Sequence, residues 1–193
     1  MMMLKWLLQN VGILFSLTAM LLTPFLCYAQ SIAIKNNTLY DALLIPNLGM
    51  ETKIGDRTTL DVEGTYDPIT FPNKTKWKNW SVQPELRHWG CVPFFGMFIG
   101  INGMAGRFNL ERIPVFNFYE KRMQGTFYGG GLTLGNHHII SPHWGLETKV
   151  NLDFIHINYS CYRCSKCGYK EENIITNYAG PTEVSISLVY IIK

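Results

Sequence analysis

The sequence lacks a charge excess, a second long apolar run and a convincing helix of twelve residues. Lys5 is the only charged residue among the first thirty, and beyond it 16 Lys and Arg residues face 14 Asp and Glu residues, which leaves a net charge near +2. So small a net charge does not indicate the basic surface that nucleic-acid-binding proteins carry. No apolar stretch after residue 29 is long enough for a membrane-spanning helix, so only strands could cross a bilayer.

The first 29 residues have the composition of an export signal. An apolar run extends from Val11 to Leu22 and is interrupted by Pro24. It falls short of the roughly 20 residues that a spanning helix needs. Cys27-Tyr28-Ala29 then places small residues at the −3 and −1 positions of a cleavage site. We predict that residues 1–29 are a cleaved signal peptide; a retained helix and a lipidated Cys27 are the weaker alternatives.

Residues 30–193 carry a repeated two-residue alternation. Thr58 to Asp67, Trp80 to Trp89, Trp144 to Phe154 and Glu183 to Ile192 each set apolar residues on one face against mostly polar residues on the other. The chain is also rich in Gly, Tyr, Phe and Trp and poor in Ala. Because side chains alternate between the faces of a strand, the pattern predicts an all-β fold.

The polar faces favour a membrane barrel over a soluble barrel or sandwich. Both signs of charge occur at close spacing on these faces, so the groups could pair across a narrow lumen. Aromatic residues such as Trp80, Trp89, Trp144 and Tyr190 cluster at strand ends, as in interfacial girdles. We predict that the following charged side chains fill the barrel interior: Glu51, Lys53, Asp61, Glu63, Glu85, Arg87, Glu147, Lys149 and Asp153. We also expect them to be almost completely paired.

Short and long connections alternate along the chain. The long ones lie near 67–79, 107–122 and 160–181, and short turns against long external loops are typical of bacterial barrels. Seven strands are clear, and an even count requires one more before Leu48, which Ser31 to Ile45 can supply. The prediction is an eight-stranded antiparallel up-and-down transmembrane β-barrel of the outer membrane. At this size the interior is filled by side chains, so no open pore is expected.

Several of these stretches together resemble a known family. They are Asn37 to Ala42, Pro46 to Glu51, Trp80 to Trp89, Tyr162 to Gly168 and Gly180 to Lys193. The set is similar to the DUF3575 family of small Bacteroidetes outer-membrane proteins. The resemblance implies an outer-membrane β-barrel, often associated with fimbrial or surface-assembly genes, and supplies no catalytic residues. Cys161 departs from the family pattern and leaves the disulfide pairing open.

Three cysteines form a C-x-x-C-x-x-C pattern on the last long loop. Cys161, Cys164 and Cys167 favour a structural disulfide in an exported loop, with a metal site or a redox pair as the alternatives. Cys91 lies near a short turn and is expected at the opposite end of the barrel. His137, His138 and His143 surround another turn, where solvated side chains are the simplest interpretation.

The leading functional hypothesis is a barrel without enzymatic activity, metal or cofactor that has a structural, surface-assembly or adhesion role. Its partners would be outer-membrane lipid and a surface protein or fimbrial component. An enzyme acting on lipid or peptide at the outer rim is one alternative, with Asp67, Asp153, His156 and Ser160 as the nearest approach to a catalytic set. A soluble periplasmic lipocalin-like binder is the other.

Overall fold

The computed structural model describes residues 32–67, 76–111, 122–162 and 170–192. The cleaved signal predicted at residues 1–29 lies outside this range, as do Cys164 and Cys167. None of the described helices is long and apolar enough to cross a membrane.

The described chain forms strands that alternate in direction and one short helix. In chain order these are β1 (Ile32–Asn37), α1 (Thr38–Ala42), β2 (Asn47–Lys53), β3 (Thr58–Asp67), β4 (Lys76–Trp89), β5 (Gly96–Glu111), β6 (Arg122–Ile139), β7 (Trp144–Tyr162) and β8 (Lys170–Ile192). Each strand pairs with its sequence neighbour, and β1 pairs with β8 from Ile32↔Ile192 to Asn37↔Ser187. The eight described strands therefore close into an up-and-down antiparallel barrel, which confirms the predicted all-β topology.

The two ends of the barrel differ. The turn end carries the β2–β3, β4–β5 and β6–β7 turns together with residues 32 and 192, and the loop end carries α1 and the opposite ends of the strands. The strands lengthen around the ring, from 6 residues in β1 to 23 in β8. The β5–β8 side consequently projects beyond the rest of the barrel at the loop end.

Several sequence expectations about strand limits need correction. The first strand was predicted over Ser31 to Ile45, but it ends at Asn37, where the side chain caps α1 by accepting from the Leu39 amide at 3.1 Å. The last strand was predicted from Glu183, yet β8 begins at Lys170. Much of the range 160–181 expected as a loop is therefore a β7–β8 hairpin, with a bulge beside Asn151 that shifts its register. β5 and β6 likewise extend into the range 107–122, and β4 begins at Lys76, inside the range 67–79 that was expected as a loop.

Candidate functional site: the charged barrel interior

The inward face of the barrel is charged and polar, although it is the most buried part of the molecule. The buried charged residues are Lys35, Glu51, Asp61, Asp67, Glu85, Arg87, Glu147, Lys149, Asp153 and Glu183. Glu63 also points inward, with its side chain 16% exposed. Burial of this kind is costly unless the groups are paired and hydrogen-bonded, so the contacts among them decide whether the interior is stable.

Arg87 is the centre of this cluster. Its guanidinium lies 2.9 Å from carboxylate oxygens of both Glu51 and Glu147, 2.7 Å from Asp61 Oδ2 and 2.7 Å from Glu85 Oε1. The planar fork of an arginine suits such shared contacts, since its N–H donors point in several directions at once. Strands β2, β3, β4 and β7 are thereby joined through the lumen by one side chain.

Two lysines extend the cluster along the barrel axis. Lys35 forms a close ion pair with Glu51 and lies 3.0 Å from Glu147 Oε2. Lys149 is 2.8 Å from Glu63 Oε2 and 3.5 Å from Glu183 Oε2. Each ammonium is therefore shared between carboxylates on different strands.

The cluster contains more acids than bases. Among the described residues, Lys35, Arg87 and Lys149 are the cations in contact with six carboxylates, namely Glu51, Asp61, Glu63, Glu85, Glu147 and Glu183. Asp153 accepts a hydrogen bond from Thr182 instead. Each cation is thus shared by several carboxylates, and the charges are not balanced one to one. Lys53 lies on the same face as Glu51 but is only half-buried, near the turn end.

Glycine makes room for these long side chains. Gly100 lies inward on β5, opposite Arg87 on β4. A Cβ added there would come within 2.7 Å of Glu85 Oε1, a distance that real side chains do not adopt. The glycine-rich inward faces of β5 and β6 therefore leave the space that the arginine and its carboxylates occupy.

Helix α1 folds against the loop end of the lumen. Asn47 holds it there, accepting from the Asn37 amide at 2.6 Å and donating to Asp41 Oδ1 at 3.1 Å. Tyr40 then lines, with Lys35 and Glu63, a cavity of about 10 Å³, which is room for about one water molecule. Burial, reinforced by Glu183, raises the pKa of the Tyr40 phenol above its ordinary value.

The outward face is apolar. Exposed large side chains follow the strands around the ring, and the central ones include Leu86, Ile99, Ile101, Leu132, Leu134, Val150 and Leu152. Tyr66 and Trp80 lie outward at the loop end, and Trp144 and Tyr190 at the turn end. Trp89, which was grouped with these aromatics, instead lies fully buried inside the barrel, where its indole donates to Thr59 Oγ1 at 2.9 Å.

The structure does not assemble the rim residues considered as a catalytic set. Asp153 points into the lumen, whereas His156 lies outward against Tyr128, with Nδ1 at 2.7 Å from Asn177 Oδ1. Ser160 donates to Asn173, and Asp67 lies on β3, away from β7.

The described cysteines lie at opposite ends of the barrel, and one of the turn histidines lies inside it. Cys161 is on β7 near the loop end, and Cys91 is exposed in the β4–β5 turn at the other end, as expected. His137 is buried beside Glu147, at 3.7 Å, so the solvated placement expected for it is wrong. Within the described ranges there is no group of three or more His, Cys, Asp or Glu residues suited to a metal ion.

Sequence reasoning missed several residues of the interior, three of which contact the charged cluster. Lys35, Glu183 and His137 are all buried there, although none was predicted as an interior group. Lys35 is the only charged residue of β1, and its alternation with Ile32 and Ile34 was the available signal. Six residues are too few for the pattern to stand out.

The sequence was also compared with protein families and known proteins. The family model of DUF3575, a protein family of unknown function, matches residues 14–192. The chain belongs to the DUF3575 family. No curated protein and no solved structure matches it. Membership of DUF3575 thus agrees with the resemblance seen in the sequence and assigns no activity.

Proposed function

We propose that this DUF3575 protein is a plugged β-barrel of the bacterial outer membrane that presents its loop end at the cell surface. One observation carries the proposal: the strands turn apolar side chains outward and charged ones inward. In water this arrangement would expose a wide oily band and bury ions, both at a cost in free energy. In a bilayer the band meets hydrocarbon, and closure of the sheet leaves no unpaired edge within it.

The same observation disfavours a soluble lipocalin-like binder. Such a protein keeps an apolar cavity inside and polar side chains in water. Here the described interior contains Arg87 and its carboxylates, and the cavity beside Tyr40 measures only about 10 Å³. A small apolar ligand would have to displace ion pairs, which supports a structural role for the lumen and argues against transport through it.

The projecting β7–β8 hairpin supports a surface role. Asn173, Ile175, Asn177 and Tyr178 are exposed on β8 above the barrel, and rigid scaffolds commonly present recognition surfaces in this way. We propose that this hairpin is the part that meets a surface protein or fimbrial component, so that the barrel serves as its anchor.

Membrane insertion is tested by an arginine in the centre of the outward band. Ile101, 66% exposed and flanked by Leu86 and Leu132 on neighbouring strands, is the site. Ile101→Arg should cost about 2–4 kcal/mol of folding free energy in vesicles, because a cation at the bilayer midplane is poorly solvated. Val92→Arg, in an exposed turn, is the matched control and should be neutral. Heat-modifiable gel migration after vesicle folding is the readout, and equal effects of both variants would contradict insertion.

Orientation is tested with a membrane-impermeant maleimide on intact cells. Asn177→Cys, made in a background in which the other cysteines are serine, should be labelled because the hairpin lies outside. A chain that retains only Cys91 should be labelled only after lysis, since its turn faces the periplasm. The reverse pattern would invert the proposed topology.

Absence of a pore is tested by planar-bilayer conductance of the folded protein beside a general porin. We expect current steps from the porin and none from this protein, because side chains fill the lumen of its barrel. Steady ohmic steps from this protein would overturn the plugged-barrel proposal while leaving insertion intact.

A further inference from the structure

The two signs of charge are sorted between the faces of the strands. Every strand carboxylate whose side chain the structure describes points inward, from Glu51 on β2 to Glu183 on β8. Among the side chains that the structure describes, three cations on the strands point outward: Lys78, Arg107 and Arg122. All three lie at the loop end, so among the strand side chains that the structure describes the outward charge is positive; the backbone register also sets Glu111 of β5 opposite Lys76 and Arg122.

These cations form one patch on adjacent strands. Arg107 on β5 is directly opposite Trp80 on β4, and Lys78 lies two residues further toward the loop end on the same face. Arg122 follows on β6, where its Nε donates to Asn109 Oδ1 at 2.8 Å. Neighbouring strands are about 4.8 Å apart, so Lys78 and Arg107, which are offset by two residues on adjacent strands, fall within reach of one headgroup, whereas Arg122 lies four residues beyond the partner of Arg107.

A surface recess lies beside Lys78 and Arg107. It has a volume of about 250 Å³, and Tyr66, Lys78, Trp80, Arg107 and Gln124 are among its lining residues. Asp67 also borders the recess, but it is buried on the inward side of β3. The recess thus combines two exposed cations with three aromatic rings, the third being Phe108, and with the amides of Asn79, Asn109 and Gln124.

The apolar band begins directly below the patch. On the same face of β4, Val82 follows Trp80 toward the turn end, and Ala105 follows Arg107 on β5. A ligand seated on the patch would therefore meet cations and aromatic rings first and then a continuous oily surface. A free inorganic anion would contact the cations but would gain nothing from the apolar surface.

We propose that Lys78 and Arg107 bind the phosphate-bearing headgroup of an outer-leaflet membrane lipid, whose acyl chains lie along the adjoining apolar band. The lipid site rests on the proposed membrane insertion and deepens it by naming a ligand class. Cations near a membrane surface attract anionic headgroups, and aromatic rings at this level mark the boundary between headgroups and hydrocarbon. The site would fix the depth of the barrel on the side where its strands project.

Native mass spectrometry of the detergent-folded protein tests the site with equimolar phosphatidylglycerol and phosphatidylcholine. The double variant K78Q/R107Q should lower the ratio of bound phosphatidylglycerol to phosphatidylcholine by about fivefold for each cation removed. The double variant K53Q/R57Q removes the same charge at the turn end and should keep the wild-type ratio. Inorganic phosphate at the same concentration should displace none of the bound lipid.

Each alternative result is decisive. An unchanged ratio in K78Q/R107Q, or an equal drop in K53Q/R57Q, would overturn the proposed site. Displacement by inorganic phosphate would make it a site for soluble anions. A wild-type protein that inserts into vesicles without preferring the anionic lipid would refute this inference alone, whereas failure to insert would refute the proposed function as well.

Discussion

Arg87 and Glu147 lie on strands that are separated by two others in the ring, yet their side chains meet across the lumen at 2.9 Å. The contact links β4 to β7 without any backbone pairing between them. It is also surrounded by Glu51 and Asp61, which share the same guanidinium. Removal of this one cation would leave several carboxylates uncompensated in a buried interior.

Replacement of Arg87 by methionine should therefore be strongly destabilising. We expect Arg87→Met to lower the free energy of unfolding by about 3–5 kcal/mol, because an unpaired buried charge costs more than the pair contributes. Urea unfolding in vesicles, followed by tryptophan fluorescence, measures the change. Arg57→Met, in the exposed β2–β3 turn, should stay within about 0.5 kcal/mol of wild type. A small effect of Arg87→Met would mean that water or counter-ions enter the lumen.

Gly135 should not tolerate a side chain. A Cβ at this inward position on β6 would collide with the ring of Phe98. The centroid of that ring lies 4.7 Å from the Trp89 ring centroid and 4.5 Å from the Arg87 guanidinium carbon. Gly135→Ala is expected to cost about 1–3 kcal/mol by overpacking.

Gly103 provides the matched control on the outward face of β5. The nearest atom to an added Cβ is the Gly129 carbonyl oxygen at 3.9 Å, which is an ordinary contact. Gly103→Ala should therefore be neutral or slightly stabilising in the same unfolding assay. If the two alanine variants behaved alike, the Phe98 packing would be wrong.

Helix α1 should detach when Asn47 is changed. Its side chain accepts from Asn37 and donates to Asp41, so it ties the helix to the start of β2. In Asn47→Ala, backbone hydrogen exchange from Thr38 to Ala42 should become faster, because the free energy of local opening should fall by about 1–2 kcal/mol. The strands should keep their protection from exchange. Leu43→Ala, at an exposed position beside the helix, should change nothing. Uniform loss of protection would show that α1 is part of the cooperative core.

Thiol labelling should distinguish the two ends of the barrel. Cys91 is exposed, so it should react with maleimide in the unreduced protein. Two of Cys161, Cys164 and Cys167 should become reactive only after reduction, since a disulfide in an exported loop is the leading interpretation. Intact-mass analysis of a chain beginning at Gln30 counts the labels. Reaction of all four cysteines before reduction would exclude the disulfide.

The alternation of residue types determined much of this fold. Period-two patterns located β3, β4, β7 and the lower half of β8, and the mixed charges on their polar faces indicated which side would lie inward. This succeeds because an alternating strand buried on one face has little freedom of register: a shift by one residue would exchange every apolar side chain for a charged one.

The tertiary structure alone decided the remaining features. Only closure of the ring brings Lys35 of β1 to Glu147 of β7, a contact between residues 112 positions apart. The same closure buries His137 and Trp89 and leaves Lys78 and Arg107 together on the outer rim. The local pattern specifies which face of a strand a side chain takes, because the two-residue period is a local property. Strand count, strand length and register decide which distant charges share the lumen, and these are properties of the whole ring.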